Sequence, residues 1–90
     1  MAKSKAKLDD EGLIAQYIDP DPNGYGGRDA ASLRDYGTPV YVLIGYLRMV
    51  GDIDDTLAAY EISREAMDAA LAYYRQNKAY IDARILLSWG

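Results

Sequence analysis

The chain reads as a mainly α-helical domain organised around a helix-turn-helix, and two observations predict it. The first is Thr38-Pro39, a hydroxyl cap followed by proline at a first helical position, opening an apolar run from Val40 to Val50 that Gly51 stops. The second is a pair of capped amphipathic segments behind it. Asp52 opens Ile53 to Tyr60, and Ser63 opens a helix whose inward stripe is Met67, Leu71 and Tyr74. At 90 residues there is room for one core, so the expected layout is a tail over 1–12 and a single domain over 13–90.

From the N-terminus, Lys3, Lys5 and Lys7 precede Asp9, Asp10 and Glu11, the pattern of a solvated tail. Leu13 to Ile18 is too short for periodicity to separate a strand from a helical turn. Asp19 to Gly27 is a loop, because its prolines fix φ and its glycines permit positive φ. Asp29 is positioned to cap a short helix over Ala30 to Tyr36, ended by Gly37. Val40 to Val50 lacks a polar face, as a buried central helix does. Helical spacing continues through Tyr73, Tyr80, Ile81 and Ile85 to about Leu87, with a kink expected at Asn77. The architecture is therefore a small helix-turn-helix domain of homeodomain-like or winged-helix-like type. A short irregular or β N-terminal segment precedes it, and a long C-terminal helix ends it.

Within the motif at 53–76, Ala58 or Ala59 supplies the small residue for a steep helix crossing, Ile62 plugs the turn and Ser63 caps the second helix. Glu61 stands where such turns favour glycine. The outward face of the second helix carries Arg64, Glu65, Asp68, Ala69, Ala72 and Arg75. From Asp52 to Asp68 the acids are Asp52, Asp54, Asp55, Glu61, Glu65 and Asp68, against Arg64 alone. That field repels phosphate, as does the net charge of −4. DNA contact, if made, falls to Arg64, Arg75 and the tail lysines Lys3, Lys5 and Lys7.

Composition excludes much chemistry. There is no histidine and no cysteine, which removes the common zinc, copper and iron sites and the nucleophile–histidine mechanisms. The chain is expected to be no enzyme and to need no cofactor or metal. Asp19-x-Asp21-x-Asn23-Gly24 matches the opening of a calcium loop, but its twelfth position is Ala30, not glutamate. Gly24, Gly26 and Gly27 lack the Lys-Ser/Thr of a phosphate-binding loop. No apolar run reaches the ~20 residues of a membrane span, and no apolar segment follows the basic start, so a cytoplasmic protein is expected. Nine tyrosines with no phenylalanine point to an interface, since tyrosine joins a large apolar ring to a wettable tip. Tyr73, Tyr80, Ile81, Ile85 and Trp89 read as a second apolar stripe for a protein partner or a second copy, hence a homodimer.

Tyr36-Gly37-Thr38-Pro39-Val40, the helix after it, Gly51 to Tyr60, and Ser63-Arg64-Glu65 through Ala69-Ala70-Leu71-Ala72-Tyr73-Tyr74 together resemble the domain of unknown function 433 family. The resemblance covers the C-terminal half to two-thirds of the chain. It implies a bacterial toxin–antitoxin system: an antitoxin-like helix-turn-helix protein of VapB type, encoded beside a PIN-like ribonuclease toxin and docking it. The alternatives are a DNA-binding autoregulator and a structural protein-interaction domain.

Overall fold

In the computed structural model, residues 9–24 and 26–89 are described, Trp89 by its backbone alone. The described residues form five α-helices and one two-stranded sheet: α1 (Asp10–Tyr17), β1 (Ile18–Asp19), a 3-10 turn (Arg28–Ala30), β2 (Ser32–Leu33), α2 (Val40–Val50), α3 (Ile53–Tyr60), α4 (Arg64–Gln76) and α5 (Lys78–Trp89). The mainly helical class with a short β segment is therefore what the chain adopts. No helix among the described residues is long and apolar enough to cross a membrane.

The ends of these helices follow from local chemistry. The Asp9 carboxylate accepts from the Gly12 N–H, Asp52 from Asp54 and Asp55, and Ser63 Oγ from Ala66, each filling donors that an α-helix leaves open at its start. Gly51 closes α2 in the left-handed region at φ 70°. α2 begins at Val40 as expected, but Pro39 occupies its cap and no side chain bonds there; the Thr38 hydroxyl does not cap it.

Two stretches differ from expectation. Asp9–Gly12 form the cap and first turn of α1 rather than the end of a tail, and α1 runs on through the ambiguous segment to Tyr17 before Ile18 turns extended. The helix expected over Ala30 to Tyr36 is absent. That segment satisfies its backbone laterally instead: Ile18 pairs with Leu33, Asp19 with Ser32, and Ser32 bridges Pro39 on its other side. Leu33 N–H donates to Thr38 O at 2.8 Å and Val40 N–H to Ala31 O at 2.9 Å. Long-range pairing outweighs local helix preference here, because it also buries Ile18 and Leu33. Asp29, freed from capping, pairs with Arg84 of α5 at 3.1 Å.

The core gathers Leu13, Ile18, Leu33, Val40, Leu43, Ile44, Ile62, Met67, Tyr73, Ile81 and Ile85, so it draws on every α-helix except α3, whose Ile53, Leu57 and Tyr60 pack on its edge. α2 lies central, touching α3, α4 and α5. Its burial is one-sided: Val40, Leu43, Ile44 and Gly45 are inside, whereas Met49 and Val50 are exposed. The expected kink at Asn77 is a full break between α4 and α5, with the Asn77 side chain donating to Tyr73 O at 3.0 Å.

Candidate functional site

The helix, turn and helix expected at 53–76 are present, but α3 packs chiefly on α2, and α4 on α1 and α2, rather than on each other. α3 and α4 are joined by Glu61-Ile62-Ser63, and Ile62 is buried beneath the turn. Glu61 adopts φ 53°, the left-handed backbone that glycine ordinarily supplies at this point. The small residues expected at a close crossing do not fill that role: Ala58 and Ala59 are exposed. Thr56 is the buried residue of α3, its hydroxyl donating to Asp52 O at 3.0 Å.

The face of α4 expected to look outward is covered at its middle, while Arg64, Glu65 and Arg75 stay exposed. Glu65, Ala69 and Ala72 follow at i, i+4 and i+7, with Arg75 three residues further. Tyr17 of α1 donates to Glu65 at 2.8 Å, and Arg75 pairs with Asp10 of α1 at 2.9 Å. Between these two ties Ala69 and Ala72 are completely buried. α1 thus lies along the face that a recognition helix would insert into a groove. Small side chains let the two backbones approach, and Leu13 reaches the core.

The charges sort unequally. Arg48 and Lys78 share Asp82, Arg64 pairs with Asp68 at 3.3 Å, Arg75 with Asp10, and Arg84 with Asp29. The Arg34 guanidinium donates to the Ile18 carbonyl at 2.6 Å, and Arg28 sits 5.1 Å over the Tyr80 ring. Every Lys and Arg among the described residues is therefore engaged within the domain. Asp54, Asp55 and Glu61 are exposed and make no ion pair among the described residues. The outward field of α3 is negative.

The groups with displaced pKa values belong to these internal ties. Lys78, Tyr74 and Arg48 hold the Asp82 carboxyl well below the usual carboxylate range, and Arg48 and Lys78 are raised in return, chiefly by Asp82. Arg84 is raised by Asp29. The hydrogen bond to Glu65 raises the Tyr17 phenol, and burial raises that of Tyr73.

The stripe expected to await a partner is mostly interior. Ile81, Tyr73 and Ile85 are buried in the chain's own core, Tyr73 donating to the Arg28 carbonyl at 2.7 Å. α5 folds back on α2 and on the 3-10 turn, covering what periodicity alone leaves uncovered. Of the four whose side chains are described, only Tyr80 is exposed, at 50%; the side chain of Trp89 lies outside the described residues. The grounds for a second copy on that stripe go with it. Exposed apolar side chains are instead Met49 and Val50 on α2 and Leu86 and Leu87 on α5. Lys3, Lys5 and Lys7 also lie outside the described residues.

The stretch that matches a calcium-loop opening is an internally stapled turn. Both Asp21 carboxylate oxygens accept from the Gly26 N–H, and Asp19 accepts from the Asp21 N–H. No cluster of three or more metal-ligating side chains occurs among the described residues. No family model, curated protein or solved structure matches the chain.

Proposed function

We propose that the chain is a non-catalytic, antitoxin-like binding module that acts in the cytoplasm and docks a basic protein partner, a PIN-like ribonuclease toxin encoded beside it. One observation carries the docking chemistry: each described cation has a partner within the domain, while the α3 carboxylates Asp54 and Asp55 and the turn residue Glu61 are exposed and make no ion pair among the described residues. A ribonuclease presents a basic groove to RNA, and a negative helical surface complements it. The resemblance to the domain of unknown function 433 family supplies the partner's identity; the charge distribution supplies only its sign.

Co-expression with the neighbouring reading frame tests this. A complex that co-purifies, and growth restored when both are expressed, support the reading; two free proteins and no rescue count against it. Operator binding by this helix-turn-helix alone has the geometry of α1 against it, since Ala69 and Ala72 are covered and Arg64 and Arg75 are paired. A gel shift on the chain's own promoter at low salt is expected to show no retarded band.

A further inference from the structure

The only charged residue of α2 is Arg48, and it is turned toward Tyr74 and Asp82. The rest of the helix is apolar, glycine or tyrosine, a composition normally buried on every side. Yet one side is open. Val42, Tyr46 and Met49 stand at i, i+4 and i+7 and so form one line along the helix. Val42 and Tyr46 are half-buried, Met49 is 63% exposed, and the exposed Val50 extends the end of the line. Tyr46 is held edge-on against Tyr60 of α3, ring centroids 5.3 Å apart, so part of this ridge is already ordered before any partner arrives.

The stretch of chain that follows the ridge is acidic. Gly51 ends α2 and Asp52 caps α3, so the exposed Asp54 and Asp55 follow within five residues of Val50. Glu61 adjoins Tyr60, the ring that braces Tyr46. α3 contains no lysine or arginine.

We propose that this outer face of α2 is a docking surface for a basic amphipathic segment of a protein partner. An apolar strip of the segment would lie on Val42, Tyr46 and Met49, with Lys or Arg reaching Asp54, Asp55 and Glu61. The charge pattern selects this occupant over a second copy: two such ridges face to face would bring like carboxylates together, which costs affinity. The proposal rests on the protein-binding reading above and names the place where it acts.

The probe is a synthetic 14-residue helix of leucine and lysine, titrated into the full chain and followed by amide chemical shifts. A leucine–glutamate helix of the same pattern serves as the charge control. The lysine peptide is expected to move resonances of Val42, Tyr46 and Met49. Met49→Ser, and separately Asp54→Lys with Asp55→Lys, should weaken it about tenfold, while Leu87→Ser leaves it unchanged. Met49 and Leu87 are exposed, so those variants should keep the native spectrum; because Asp54 and Asp55 lie in the first turn of α3, Asp54→Asn with Asp55→Asn serves as the milder charge variant. Shifts centred on Leu86 and Leu87, equal binding of the glutamate peptide, or indifference to Met49→Ser would overturn the site. So would a dimer in sedimentation that Met49→Ser dissolves. A co-encoded partner that binds wild type and Met49→Ser equally also sinks the site while leaving the module reading intact. Peptide seated on the ridge without any complex with that partner does the reverse.

Discussion

The Tyr17 hydroxyl donates to the Glu65 carboxylate at 2.8 Å, joining α1 to the start of α4 across 48 residues of sequence. With the Arg75–Asp10 pair at the other end of the contact, it fixes α1 along the face of α4 that carries Ala69 and Ala72. This contact bears on how the α3–α4 segment is used. A recognition helix offers that face to a groove; here it is part of the packing.

Ala69→Leu is therefore expected to destabilise the fold by about 1–3 kcal/mol, through overpacking beneath α1. On an open helix face the same change would stay within about 0.5 kcal/mol. Urea unfolding followed by circular dichroism reads the difference.

Ile81 and Leu87 sit on the same helix with opposite surroundings, fully buried and 83% exposed. Ile81→Ala should cost about 2–5 kcal/mol and Leu87→Ala less than about 0.5 kcal/mol. Comparable small costs for both would mean that α5 does not pack as described.

Glu61 holds a left-handed backbone at φ 53° without being glycine. Glu61→Gly is expected to raise stability by about 0.5–1 kcal/mol, the relief of steric strain less the entropy glycine loses on folding. Thermal unfolding of the two proteins side by side checks it; a loss of stability would show that the side chain contributes more than its backbone costs.

Asp82 accepts from Tyr74 and pairs with Lys78 and Arg48, and its folded-state pKa is depressed, chiefly by Lys78. A depressed carboxyl stabilises the fold at pH values above its unfolded pKa of about 4, and that share is lost as pH falls through the folded value. Asp82→Asn should cost about 1 kcal/mol at neutral pH, a small figure because the pairs are partly exposed. The variant should also lose less stability than wild type on acidification below about pH 4.

Much of this arrangement is legible in the residues alone. Gly51, Asp52 and Ser63 mark helix boundaries because each fills a specific backbone need, and α2, α3 and the start of α4 fall where these residues put them. The β1–β2 pair is not legible, since two-residue strands carry no alternation and the Asp29 cap signal favours a helix that pairing with Ile18 overrides. The C-terminal stripe shows a different limit. Spacing shows that Tyr73, Ile81 and Ile85 share an apolar face, but not that α2 and the 3-10 turn cover it. For α4, alanines at 69 and 72 between charged residues were a usable sign of a close helix approach, easily mistaken for a neutral surface. The one-sided burial of α2 left Met49 outside, against a composition that reads as fully interior.

The most direct measurement is calorimetric titration of the partner proposed above, the product of the neighbouring reading frame, into the full chain at low and moderate salt, with wild type and with Asp54→Lys plus Asp55→Lys. A negative docking surface predicts binding that weakens with salt and falls about tenfold in the double variant. Binding indifferent to both changes, or strengthened by the lysines, would contradict it.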